Sequence, residues 1–382
     1  MSRLTAILVA LVAAVVGSAS PVSNSVAPAS ARAAGLLIPN DTGGMRVAGG
    51  WARVQWNFTG PNGVNAPGAW ANLERNGAPG GSGVTIAVVD TGVAYGDRGT
   101  FRRSPDLSAA TFVPGYDFVS DDPYPFDLHG HGTHVASTIA EQTNNGFGLT
   151  GLAYGARIMP VRVLDGAGNG SSTAVAKGIR FAVDHGAKII NLSLNFAHSV
   201  TTPEIPDVVG AIAYAHERGA LVVAAVGNDG RTTLANPARV DNVIAVGATT
   251  EHGCLSSFSN SGSGIDLVAP GGGKDASIRG DVNCSPGRQG RPVYQISMAA
   301  RRIGRFGISG RFVGTSLAAP HVSATAALIV ASGILGPDPS PEAIERQLTH
   351  TARDLGTPGY DMRYGWGLLD AAAATSSVAN SR

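Results

Sequence analysis

From residue 84 to residue 249 one arrangement recurs: a short unbroken apolar run, a polar break, then a longer stretch whose apolar residues return every three or four positions. The apolar runs are VTIAVV (84–89), RIMPVRVL (157–164), AKIINLSL (187–194), ALVVAAV (220–226) and NVIAVGA (242–248). Their length and their Val and Ile content predict strands buried on both faces. The periodic stretches between them predict helices over 173–185 and 205–218. Strand and helix alternating in this way predict an α/β fold with a mostly parallel central sheet flanked by helices. Further on, TSLAAPHVSATAALIVASG is apolar on nearly every face, which predicts a helix buried through the core and stopped at Gly333.

The ends of the chain break this pattern. MSRLTAILVALVAAVVGSAS opens with Arg3, continues with an uncharged run from Leu4 to Gly17 and closes on small residues, the pattern of a secretory signal peptide over 1–20. As a helix that run would span about 21 Å, short of the roughly 30 Å hydrocarbon layer, so removal is expected rather than a membrane span. Residues 21–50, rich in Ala, Ser, Gly and Pro, read as a short leader or linker, too short for a large folded leader domain. One catalytic domain is expected over 51–376, with a tail at 377–382. The basic, glycine-rich stretch 271–314 reads as a surface excursion carrying a hairpin.

With 382 residues, 43% of them hydrophobic, the chain can bury a large core. A net charge of +1 with 14% charged residues offers no electrostatic footprint for nucleic acid or an acidic membrane surface. The two cysteines, Cys254 and Cys284, lack metal-ligand spacing. In an exported chain their even count predicts a disulfide worth roughly 3 to 4 kcal/mol, with two buried thiols as the alternative.

Ligands of parallel α/β sheets bind at the carboxyl ends of strands, so polar residues ending apolar runs are candidates for chemistry. Asp90 ends VTIAVVD and Asn228 ends ALVVAAVGN, while NLSLN ends the run through Ile189 and Ile190. Alone, Asp90 could equally cap a helix. Two further candidates open helices: His131 before THVASTIAEQ, and Ser316 at the head of the buried helix. A serine nucleophile needs a base, a carboxylate to orient the base, and donors aimed at the developing oxyanion. Ser316, His131, Asp90 and Asn228 supply that set in the chain order Asp, His, Ser.

The motifs VVDTG, HGTHVA, GND and GTSLAAPHV, with YGWGLLDAAAA near the end, resemble those of the subtilisin-like serine proteases, the subtilases. The resemblance implies a three-layer subtilisin-like fold and a secreted serine endopeptidase acting on protein or peptide substrates, monomeric, with no nucleic-acid partner. It implies Ser316 as nucleophile, His131 as general base and acid, Asp90 as its orienter and the Asn228 amide as oxyanion donor. An extended substrate would lie between Gly168, Asn169 and Gly170 on one side and Ser193, Leu194 and Asn195 on the other. Ala225, Val226 and Gly227 would wall a hydrophobic pocket. Asn195 and Phe196 stand where the family often has two glycines, which predicts a narrower groove.

Calcium is the ion the resemblance implies. The loop EQTNNGFGLTG would hold it through the Asn145 side chain and the carbonyls of Thr143, Phe147 and Leu149, joined by Asp106 and Gln55, all hard oxygen ligands. A solvated Asn-Gly turn is the alternative. A second calcium at Asp117 and Asp122 competes with a plain acidic turn. Two rival functions remain to be weighed. His129, His131 and His134 have the H-x-H-x-x-H spacing of a zinc metallo-hydrolase, but Thr133 replaces the Asp that normally precedes the last His, and Asp90, Asn228 and Ser316 go unexplained. A catalytically silent binding protein would need no complete catalytic set.

Overall fold

The computed structural model describes residues 8–10, 14–15, 38–108, 111–299 and 302–377. The expected signal segment is thus described only at two short strands, β1 (Leu8–Ala10) and β2 (Ala14–Val15). Residues 21–37 of the expected leader and 378–382 of the tail lie outside the described residues.

Valine, isoleucine and alanine build a sheet of seven parallel strands. They are β3 (Thr85–Asp90), β4 (Tyr116–Asp117), β5 (Arg157–Arg162), β7 (Ile189–Leu192), β9 (Leu221–Ala225), β10 (Val243–Thr249) and β11 (Leu267–Pro270). Their spatial order is β11-β10-β9-β7-β3-β5-β4. Side chains alternate across it: Ile86 and Val88 face one core, Ala87 and Val89 the other. The first core is closed by α3 (Ala66–Arg75), α4 (His131–Ala140), α7 (Thr315–Ser332) and α8 (Pro341–His350); the second by α5 (Ser172–Asp184) and α6 (Pro206–Glu217). The result is the expected three-layer α/β sandwich. Two short turns of helix, α1 (Trp51–Val54) and α2 (Trp56–Thr59), pack Trp51 and Phe58 edge-on to Trp70, and α9 (Ala371–Ala374) closes against α3.

The buried helix forms as the pattern predicts, ending where Gly333 takes the left-handed conformation at φ +69°. Long and apolar enough to cross a bilayer, α7 is buried within the core. The strands β4 and β11 escaped the pattern because each contributes only two to four residues between glycines and turns.

The expected surface excursion needs correction. It does contain a hairpin, β12 (Gln295–Met298) against β13 (Phe306–Ser309), followed by β14 (Phe312–Val313). But β12 is buried and packs along α4, tied to it through its two middle residues. Ser137 Oγ donates to the Ile296 carbonyl at 2.8 Å and Ser297 Oγ to the Gly130 carbonyl at 2.7 Å. The same stretch is pinned by a disulfide between Cys254 and Cys284, with S–S 2.07 Å.

Candidate active site

The topology sends every candidate side chain to one end of the sheet. β3 lies between strands whose connections run in opposite directions, and Asp90 ends it at this switch point. Asp90 is fully buried; it accepts from the Thr91 N–H at 2.7 Å and meets His131 Nδ1 at 2.8 and 3.0 Å. With Nδ1 bound to the carboxylate, Nε2 is the basic nitrogen, and it is buried with no partner among the described residues. Close approach is what the glycine after His131 provides. A Cβ on Gly132 would stand 2.1 Å from the Gly92 carbonyl oxygen and 3.2 Å from Asp90 Oδ1.

A second carboxylate, absent from the sequence-based set, locks the pair. Asp127, 2% exposed, accepts through one oxygen from Thr91 Oγ1 (3.0 Å) and the N–H groups of His129 and Gly130 (both 2.8 Å). Its other oxygen accepts from the Thr133 N–H (2.9 Å) and hydroxyl (2.6 Å). It thereby caps the first turn of α4 and ties it to the residue after Asp90. Burial pushes its carboxyl up while the bonds from Gly130, Thr133 and His129 pull it down. An Asp just ahead of a helix start was a readable cap signal.

Ser316 is the second residue of α7, so its N–H is among the helix-end donors that lack an intrahelical acceptor. Its Oγ is buried with no partner among the described residues. Asn228, after β9, accepts through its Oδ1 from the Thr315 N–H (2.8 Å) and Oγ1 (3.0 Å), which fixes its amide beside the start of α7. A Cβ on Gly314 would stand 3.1 Å from Ser316 Oγ and 3.3 Å from Asn228 Nδ2, so glycine keeps the space between them open.

The three histidines do not converge on an ion. Each packs against Phe312, with ring centroids at 5.8 Å for His129, 5.3 Å for His131 and 5.7 Å for His134. Burial drives His134 down to about 3, keeping it neutral. Among the described residues no group of three His, Cys, Asp or Glu side chains could hold a metal.

The expected substrate edges flank a groove, and the protein's own N-terminal segment lies in it. β1 pairs antiparallel with β6 (Asn169–Ser171) on one side and with β8 (Asn195–Phe196) on the other. In register, Val9 faces Gly170 and Phe196, and Ala10 faces Asn169 and Asn195. Beyond it, β2 pairs with β14, the strand leading to Ser316, an edge the sequence reading missed. Phe196 does not narrow the groove, because its side chain is fully buried in the α5–α6 core. Val226 and Leu194 turn into the same core, and Ala225 into the core on the other face of the sheet.

Of the expected calcium ligands, Asp106 and the loop carbonyls offer oxygen to a hard cation, while the Asn145 side chain is engaged, its Nδ2 donating to Asp106 Oδ1 and its Oδ1 accepting from the Phe147 N–H, each at 2.8 Å. Burial raises Asp106 to about 7, the Asn145 and Leu149 donors lower it, and Asp41 raises it further: a carboxylate in want of positive charge. The carbonyls of Thr143, Phe147 and Leu149 accept no hydrogen bond among the described residues. Asp41, also missed, holds the loop by accepting from the Asn144 and Asn145 N–H groups at 2.8 and 2.9 Å. Gln55 drops out: its amide donates to the Thr150 carbonyl (2.7 Å) and accepts from the Thr150 N–H (3.0 Å). The second site drops out too. Asp117 is paired with buried Arg162 at 2.6 Å and caps Val119 and Ser120, while Asp122 accepts from the Tyr124 N–H at 2.8 Å.

Comparison with known proteins agrees with this geometry. The subtilase family profile matches residues 81–367. A thermophilic serine proteinase of Bacillus sp. (strain AK1) is 39% identical over 286 residues, 75% of this chain and 60% of that protein, so the chain spans under two thirds of its length. Thermitase of Thermoactinomyces vulgaris is 39% identical over 274 residues, 72% of this chain and 82% of that protein. Among solved structures, a protease of Pseudoalteromonas arctica PAMC 21717 superposes with a TM-score of 0.70 at 32% identity, covering 89% of this chain and 99% of its own. The chain belongs to the subtilase family, a family of serine-type endopeptidases.

Proposed function

We propose that this chain is a secreted serine endopeptidase that cleaves peptide bonds through an acyl-enzyme on Ser316. The observation that carries the reading is the buried Asp90–His131 bond, which leaves the opposite imidazole nitrogen to act as a base. His131 Nε2 takes the Ser316 hydroxyl proton as Oγ attacks the scissile carbonyl carbon. Asp90 holds the ring's other N–H and stabilises the imidazolium. Negative charge on the carbonyl oxygen is met by the Asn228 amide and the Ser316 N–H; one such donor is worth about 3 to 4 kcal/mol. His131 then protonates the departing amine, the C–N bond breaks, and water, deprotonated by the same nitrogen, releases the acid and restores the serine.

The substrate is an extended peptide added as a strand between β6 and β8, as the chain's own Leu8–Ala10 lies now. Subtilases commonly bind calcium, and here Asp106 and the carbonyls of Thr143, Phe147 and Leu149 would hold one, supplying positive charge that braces the loop after α4.

A fluorophosphonate probe tests the assignment. It should label Ser316, with labelling and casein hydrolysis both abolished in Ser316→Ala and neither stopped at once by EDTA. Immediate loss of hydrolysis with EDTA, or label on another residue, would sink the reading.

A further inference from the structure

The nucleophile's own carbonyl stands in an unusual position within its helix. In α7 the N–H of residue 320 would donate to the carbonyl of residue 316, four positions earlier. Residue 320 is proline, which has no N–H and whose ring crowds that carbonyl. The Ser316 carbonyl, buried at a helix start, therefore needs a donor from elsewhere.

We propose that the Ser193 hydroxyl is that donor and is a positioning residue for the nucleophile. The inference rests on the serine-peptidase reading. Ser193 Oγ donates to the Ser316 carbonyl at 2.7 Å. The same oxygen accepts from Asn191 Nδ2 at 2.9 Å, and Asn191 Oδ1 accepts from Ser323 Oγ at 2.8 Å. All four residues are buried. A directed chain of hydrogen bonds thus leaves α7 at Ser323, crosses the end of β7 and returns to α7 two turns earlier, at the nucleophile.

Two consequences follow from this closure. The bond sets the plane of the peptide after Ser316 and hence the direction of its Oγ, in place of the helix bond that Pro320 removes. Ser193 also begins the segment that continues into β8, the groove edge, so a peptide laddered onto 195–196 bears on the segment that holds the nucleophile. Removing the hydroxyl would strand two buried polar atoms, the Ser316 carbonyl oxygen and one Asn191 N–H.

A double-mutant cycle separates positioning from simple packing. Ser193→Ala should lower kcat, and the rate at which a fluorophosphonate labels Ser316, on the order of 10- to 100-fold, with KM within about threefold of wild type. Adding Pro320→Ala returns a backbone N–H to the starved carbonyl. The double variant should regain roughly tenfold in both rates over Ser193→Ala, an outcome that a packing defect would not produce. Should Ser193→Ala not fold, the equal-volume pair Ser193→Thr and Ser193→Val makes the same comparison, with Thr retaining the rate and Val losing it. Wild-type labelling in Ser193→Ala, losses that multiply in the double variant, or equal rates in Thr and Val would each overturn the proposal. If the wild-type chain neither cleaves nor labels, the peptidase reading falls and takes this inference with it.

Discussion

His321 is a buried histidine whose chemistry is spent on structure. Its Nδ1 donates to the Leu317 carbonyl at 2.8 Å and its Nε2 accepts from Asn57 Nδ2 at 2.9 Å, so the neutral ring alone fits. Burial lowers it to about 4 from an ordinary 6.5. The unfolded chain therefore binds a proton here below about pH 6.5 and the folded chain does not. Stability from this residue is complete above that pH and drains away as pH falls toward 4. Buried acids such as Asp127 and Glu141 are shifted up and work in the opposite sense, so the test is differential. In urea unfolding, the lead of wild type over His321→Gln should shrink by about 2 kcal/mol between pH 7 and pH 5. A constant lead would refute the assignment. At this scale the candidate catalytic residues stood out, because Asp90, His131 and Ser316 each stand where an apolar run stops or a helix starts. Ser193 and Asp41 did not, since their partners are fixed by folding and no local pattern marks them, while Asp127 carried a helix-cap signal that went unread.

Among the elements, the loop after α4 and the strand β12 were read least well, for opposite reasons. The resemblance brought Gln55 and a second acidic site into a metal role, yet Gln55 is used up by Thr150 and Asp117 by Arg162. The polar, basic composition of 271–314 suggested a surface excursion, but β12 within it carries two polar residues, Gln295 and Ser297, into the interior. Both are fully buried, because Gln55 and the Gly130 carbonyl, far away in the chain, satisfy them. Binary patterning fails wherever a polar side chain is buried against a distant partner. The Asp106 loop makes its own prediction. Millimolar calcium after EDTA treatment should raise the unfolding temperature by roughly 3 to 4 °C, the shift expected at about a hundredfold excess over Kd in a chain of this size. Asp106→Asn should abolish that response, and an unchanged temperature in wild type would remove calcium from the account.

At the scale of the whole molecule, the order of strands was only half legible. Alternation of strand and helix gave the parallel sheet and its two helical layers. It could not reveal that Leu8–Ala10 and Ala14–Val15 lie as strands against β6, β8 and β14. Those pairings occupy the edges that a substrate would use. A chain beginning at residue 38 should therefore react with a fluorophosphonate at least about tenfold faster than the full chain, and a peptide of residues 1–20 should slow it again by competition. Equal rates would show that the segment does not hold the groove.

The parallel sheet also bears on how the protein comes to be active at all. Asp90, His131, Asn228 and Ser316 are spread over more than half of the chain, and none reaches another until strands far apart in sequence have paired. Such long-range parallel pairing is slow, because loop-closure entropy must be overcome before the contacts form. A fragment that stops before α7 lacks Ser316 altogether. On the proposed reading, hydrolysis thus becomes possible only after the chain has been made past residue 316 and the sheet has assembled around it.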